Sequence, residues 1–232
     1  RRCNLRCSHC YLDAGMRRDG DGSELSTDEV KKTIDDIAAL SDETMIVLTG
    51  GEPLLRRDLD ELASYVTGLG LMAVVGTNAT TLDDKRAKRL KDAGVQGVGI
   101  SIDSLDPGYH DNFRGMPGAW EKAMRGIDAC RNNDLRFQIH FSVTDDNAHE
   151  LDDVIAFARA SKAFVLNIFF LVCTGRGEKV TNISVKTYEQ VLEKITLAAR
   201  QEDGLIIRAK CGRFQYVRYE INRFTKRMSL IC

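Results

Sequence analysis

No charge of one sign dominates this sequence: 33 Lys and Arg stand against 34 Asp and Glu, a formal net charge of −1. That balance excludes a general nucleic-acid binder, which shows a basic face or excess. The basic run at 85–91 reads as the solvated face of a helix. Long apolar runs are also missing. The longest, 163–173, is interrupted by Asn167 and is far too short to cross a bilayer. No signal peptide is visible at the start.

What is present is an ordinary globular composition, 43% hydrophobic and 29% charged over 232 residues, enough for one large α/β domain with a real core. Seven cysteines, an odd number with three of them in the first ten residues, fit metal-binding thiols in a reducing cytoplasm better than a disulfide framework. The chain opens directly on Arg1-Arg2-Cys3 and stops on Cys232, so both ends read as cut from a longer protein.

Strand and helix patterns alternate along the chain. Ser26 and Glu29 form a capping box ahead of a helix through Val30, Ile34, Ile37 and Leu40. Strands are predicted at 45–49, 71–77, 95–102, 135–144 and 163–172, with another at 205–209. Helices are predicted at 59–69, 83–93, 119–132, 149–160 and 184–201. Continuous apolar strands separated by helices imply a parallel sheet. A closed or partly closed barrel fits best, and a doubly wound open sheet is the alternative. In such barrels, ligands sit at the carboxyl ends of the strands. The segments there, 50–53, 77–78, 101–103, 142–147 and 173–177, are rich in Gly, Ser, Thr, Asn and Asp.

Cys3, Cys7 and Cys10 have the spacing C-x3-C-x2-C. A structural zinc or a ferredoxin-type cluster takes four ligands. Three thiolates on a cubane leave one iron open to a substrate. The other readings of the spacing are a zinc site completed by His9 or a distant group, which would make the chain a structural zinc-binding module, and a redox pair of Cys7 and Cys10.

Residues 3–11, CNLRCSHCY, resemble the signature loop of the radical S-adenosylmethionine (SAM) superfamily. Residues 49–54, TGGEPL, resemble its motif after the second strand, and Thr77-Asn78 and Ser101-Ile102-Asp103 resemble the motifs that follow, in order. The resemblance implies an α/β fold, a partial (β/α)6 TIM-like barrel. It implies a 4Fe–4S cluster on Cys3, Cys7 and Cys10, with SAM chelating the open iron and being cleaved to a 5′-deoxyadenosyl radical by one electron from a donor such as flavodoxin or ferredoxin. The family's first strand lies upstream of the cysteines, which agrees with a truncated chain. Residues 1–203 would be the core and 204–232 the start of a C-terminal extension of the SPASM or twitch type. Cys173, Cys211 and Cys232 are candidate ligands of a second iron–sulfur cluster, and Cys130 reads as core.

For SAM, Gly50 and Gly51 allow close backbone approach, and Glu52 offers a carboxylate beside the amino group. By resemblance, Ser101 contacts the methionine carboxylate, Asp103 or Asn78 the ribose, and the Tyr11 backbone the adenine. Arg176 at the barrel mouth suits a carboxylate of SAM or substrate. His110 and His140 read as packed histidines. The stretch 139–177 resembles the tetrapyrrole branch of the family, the enzymes of haem d1 biosynthesis and of haem synthesis from sirohaem. That points to a propionate side chain as the target. A peptide-modifying maturase, of the quinone-cofactor or thioether-forming kind, is the alternative substrate class.

Overall fold

The computed structural model describes residues 2–16, 24–171, 174–179, 183–201 and 204–210. Six parallel strands form one sheet: β1 (Met45–Leu48), β2 (Met72–Thr77), β3 (Gly97–Ser101), β4 (Phe137–Val143), β5 (Val165–Phe170) and β6 (Ile206–Lys210). Each strand pairs with the next in sequence, in the order β1 to β6. A doubly wound sheet reverses its strand order at a switch point. This sheet never reverses, so it winds in one direction as a half-barrel. β6 hydrogen-bonds along β5. The strand expected at 205–209 is therefore part of the sheet, because the β5 edge finds its partner there. Residues 211–232, with Cys211 and Cys232, lie outside the described residues, as does Cys173.

The helices are α1 (Thr27–Ala38), α2 (Leu59–Gly68), α3 (Asp84–Asp92), α4 (Pro107–Arg114), α5 (Ala119–Asn132), α6 (Leu151–Ala160) and α7 (Val185–Ala198). The capping box forms as expected: Ser26 N–H donates to Glu29 Oε2 at 2.7 Å and Glu29 N–H to Ser26 Oγ at 3.3 Å. The basic run on α3 is a surface feature, with Lys88 paired to Asp92, and Arg86 and Arg89 to Asp60. Helix α4 is not among the helices expected from periodicity. It is eight residues long, too short for an apolar stripe to show, yet its ends are marked by Asp106 as N-cap, Pro107 at the first position and Gly115 at the C-terminus.

The two faces of the sheet differ. Ile100, Ile139, Phe141, Leu166, Ile168, Ile207 and Ala209 join the main apolar core with Ile127 of α5, Val154 of α6 and Ile195 of α7. Alternate residues (Ser101, Gln138, His140, Asn167, Arg208 and Lys210) fall on the opposite, concave face. Cys130 is fully buried in the helix-side core, as expected, and burial pushes its thiol up to about 12. No helix among the described residues is long and apolar enough to cross a membrane.

Candidate active site

The cysteine loop lies across the carboxyl ends of the strands, where the segments after β1, β2, β3 and β5 each hold a different part of it. Glu52 N–H donates to Arg2 C=O at 2.8 Å after β1. After β2, Asn78 Nδ2 donates to Asn4 Oδ1 at 3.0 Å. The end of α4 accepts two more bonds, from Arg6 N–H to Arg114 C=O at 3.3 Å and from Ser8 N–H to Phe113 C=O at 2.9 Å. After β5, Arg176 N–H donates to Cys10 C=O at 3.1 Å. Cys3 N–H closes the loop on itself by bonding Gly15 C=O at 2.9 Å.

Two of these contacts need glycine. Gly115 has φ +68°, and a Cβ there would sit 2.5 Å from the Arg6 carbonyl oxygen. Gly175 has φ +60°, and a Cβ there would sit 2.7 Å from the Tyr11 carbonyl oxygen and 2.8 Å from that of Cys10. Both the backbone conformation and the close approach exclude a side chain.

Cys3, Cys7 and Cys10 are free thiols, and each sulfur has a donor directed at it. Leu5 N–H lies 3.4 Å from Cys3 Sγ, Arg114 Nη1 3.9 Å from Cys7 Sγ, and Ala14 N–H 3.4 Å from Cys10 Sγ. Asn78 Nδ2 adds a second donor to Cys3 at 3.9 Å. Burial pushes the Cys3 thiol up, against the Leu5 hydrogen bond. It pushes Cys7 up as well, against the charge of Arg114. Leu5, Leu12, Ala14 and Met116 pack around the three. Three thiols with N–H donors in an apolar shell suit an iron–sulfur cluster once deprotonated. Among the described residues, no three His, Cys, Asp or Glu side chains converge on a single ion. His9, the residue that could complete a zinc site, stacks on Phe113 at 4.3 Å and is held neutral, with burial lowering its pKa to about 4.

Glu52 is buried after β1. Its Oε1 accepts from Thr77 Oγ1 at 2.6 Å and Leu54 N–H at 3.0 Å, and its Oε2 from Asn78 N–H at 2.8 Å. Burial still pushes its carboxyl up despite these donors. A carboxylate has about four lone-pair sites, so one remains for a further donor. Gly50, with φ +137°, has open space where a Cβ would stand, and Gly51 follows it. Ser101 is half-buried at the carboxyl end of β3, in register with His140 of β4. Tyr11 is 67% exposed on the loop, with its carbonyl under Gly175.

Three residues expected to contact SAM or substrate also make contacts within the protein. Asp103 is completely buried and bound by the fork of Arg114, Nε and Nη2 both 2.5 Å from Oδ2, while Oδ1 accepts from Ser142 N–H at 3.1 Å. Burial opposes its charge, but Arg114 outweighs it and holds the carboxyl below the usual range. Three donors fill three of its roughly four lone-pair sites, as on Glu52. Asn78 is likewise committed: its amide nitrogen goes to Asn4 and Cys3, and its oxygen accepts from Thr80 N–H at 2.9 Å and Thr80 Oγ1 at 2.6 Å. Arg176 is held against the cysteine loop, and its Nη2 is buried without a partner. Its Nε donates to Cys7 C=O at 2.9 Å, and its Nη1 to Ala14 C=O at 2.9 Å and Asp13 Oδ1 at 2.6 Å. It laces the cysteine loop together, because the loop after β5 folds back over that loop rather than over the barrel.

Sequence reasoning missed Arg114, the one side chain that joins Asp103 to Cys7. The signal was the Asp106-Pro107 start and Gly115 stop of its short helix. It also missed the wedge of Asn147 and Glu150. Asn147 accepts from Thr144 N–H at 2.7 Å and donates to Asp103 C=O at 2.8 Å and Ser142 C=O at 2.9 Å. Glu150 accepts from Ser104 Oγ and Leu105 N–H, both at 2.7 Å.

Comparison with known proteins agrees with this arrangement. The Radical SAM superfamily profile matches residues 1–158. The AdoMet-dependent heme synthase of Methanosarcina barkeri is 38% identical over 210 residues, covering 90% of this chain and 59% of that protein. The pre-heme d1 synthase of Dinoroseobacter shibae is 34% identical over 180 residues, covering 77% of this chain and 43% of that protein. The chain thus spans between two-fifths and three-fifths of the length of these relatives. In fold it is similar to Streptococcus suis SuiB bound to S-adenosylmethionine, with a TM-score of 0.77 at 16% identity over 97% of this chain and 51% of that one. A thiol triad with N–H donors at the carboxyl ends of a parallel half-barrel, and a profile match over most of the chain, lead to one conclusion: this chain belongs to the radical SAM superfamily.

Proposed function

We propose that the protein holds a 4Fe–4S cluster on Cys3, Cys7 and Cys10, binds SAM, and modifies a propionate side chain of a sirohaem-derived tetrapyrrole. When bound, the cluster supplies the electron that splits SAM into methionine and a 5′-deoxyadenosyl radical.

The protein's own part is to bind and orient. Leu5 N–H, Ala14 N–H and Arg114 stabilise negative charge on the three sulfurs. The open backbone at Gly50 and Gly51 admits the methionine end of SAM, and the free lone pair of Glu52 accepts from its amino group. Ser101 receives the carboxylate and the Tyr11 backbone reads the adenine. Asp103 acts behind them by keeping Arg114 turned toward Cys7. The observation that carries the reading is that all three sulfurs have donors on a loop pinned by the strand-end loops. The tetrapyrrole is supported by the relatives' names, heme synthase and pre-heme d1 synthase.

The test is anaerobic reconstitution of the full-length protein, followed by SAM with flavodoxin, ferredoxin or a chemical reductant as electron donor. The expected result is a brown protein that releases 5′-deoxyadenosine in the presence of didecarboxysirohaem. Release only with a candidate peptide would replace the tetrapyrrole by a peptide substrate. Colourless protein with one bound zinc would replace the enzyme by a structural module.

A further inference from the structure

The concave face of the sheet contains a row of polar residues that the cysteine site does not use. In register across four strands stand Ser101 of β3, His140 of β4, Asn167 of β5 and Arg208 of β6. Phe169 and Lys210 pair in the next layer toward the carboxyl ends. The neighbours of Arg208 and Lys210 on the same strand, Ile207 and Ala209, are buried in the helix-side core, so the two cations fall on the opposite side of the sheet. Two contacts confirm which residues share this face. A Cβ on Gly99 would collide with the His140 ring, and His140 meets Phe169 edge to face at 5.2 Å.

Polar atoms on this face lack partners. Asn167 is 3% exposed. Its Nδ2 donates to Gln138 Oε1 at 2.6 Å, but its Oδ1 is buried with no hydrogen-bond partner, and Arg208 Nε is in the same condition. Buried polar atoms without partners are uncommon, and here an acceptor and a cationic donor occur on adjacent strands of one row. Burial, reinforced by the charges of Arg114 and Lys210, lowers the pKa of His140 to about 4, so the ring is neutral. The charged groups on the row itself are therefore cationic.

We propose that Arg208 binds a carboxylate of the substrate, with Asn167 accepting a hydrogen bond from the same molecule and Phe169 lying against its flat apolar body. The assignment rests on the tetrapyrrole reading and deepens it. A guanidinium fork matches a carboxylate, and a ring edge beside it suits a macrocycle bearing several carboxylates. Strands lie about 4.8 Å apart, so Arg208 stands roughly 14 Å across the sheet from Ser101. The substrate carboxylate is thus anchored away from the SAM end.

The test uses the full-length reconstituted protein and reads equilibrium binding of two probes, didecarboxysirohaem and a Glu-rich peptide. Arg208→Gln should weaken the probe that the wild type binds by about tenfold or more, the loss expected for a charge-assisted hydrogen bond. Arg208→Lys should recover part of that loss. Iron content and SAM affinity should stay at wild-type level, which separates lost recognition from lost folding, and Lys88→Gln on exposed α3 should change nothing. If the wild type binds only the peptide and Arg208→Gln loses it, the carboxylate site stands and the tetrapyrrole reading falls. The site is overturned if Arg208→Gln binds the wild type's probe within twofold of wild type, or if the wild type binds neither.

Discussion

At the scale of single residues, Arg114 is the most consequential side chain outside the cysteines. It is buried, it forks onto a carboxylate with no exposure, and it reaches Cys7. Removing one member of a buried ion pair strands the other charge, at a cost of about 3–5 kcal/mol. Arg114→Leu should lower the unfolding free energy of the apoprotein by that amount in urea titrations, and Arg114→Lys by less, since it keeps the charge and loses the fork. A loss under about 1 kcal/mol would mean that water reaches Asp103 and that the pair is not the anchor described here. Asp103 was legible as a motif residue, but its partner was not. The motif marks where a carboxylate sits along the chain, and only packing decides whether it faces a ligand or an arginine.

At the scale of elements, the strand-end loops act as clamps on the cysteine loop, and two predictions belong to them. Gly175→Ala forces a positive φ on a residue with a Cβ and drives that Cβ into two carbonyl oxygens. Strain of about 1–3 kcal/mol should appear as loss of iron uptake on reconstitution, measured per chain, with the far-UV circular dichroism unchanged. Iron uptake equal to wild type would show that the β5 loop does not hold the cysteine loop. On α4, Asp106 Oδ1 accepts from Tyr109 N–H at 2.6 Å as the N-cap. Asp106→Ala should cost about 1 kcal/mol and increase hydrogen exchange of the Tyr109 amide. Strands and long helices were readable because their apolar periods of two and 3.6 are local. Helix α4 spans barely two turns, so only its caps announced it.

At the scale of the whole molecule, acidification should destabilise the fold. Burial pushes His110 and His140 from 6.5 down to about 4. Between those values the unfolded chain binds the protons that the native state refuses, so the histidines' contribution to unfolding free energy falls as pH drops from about 6.5 toward 4, opposed by Glu52, whose raised carboxyl binds its proton more readily in the native state. At pH 5 the loss is about 1–2 kcal/mol for each histidine, with Asp103, held low beside Arg114, adding in the same direction at still lower pH. Urea unfolding of the apoprotein at pH 7.5 and 5.0 checks this, and equal stability at both would mean that these histidines are hydrated. Met45, 53% exposed, and Val47, 47% exposed, lie on β1, whose other edge pairs with no described strand.

Spacing along the chain was enough to determine the order of strands and helices, the cysteine triad and the turn residues that follow each strand, because these are local properties of a backbone with fixed periods. Which polar groups are used up inside the protein and which remain for a ligand was decided only by the tertiary structure. Arg176 and Asn78 bind the cysteine loop, Asp103 binds Arg114, and Asn167 keeps a free acceptor on the concave face. A side chain takes the nearest partner that folding brings to it, and that partner can lie more than a hundred residues away, as Arg114 does from Cys7.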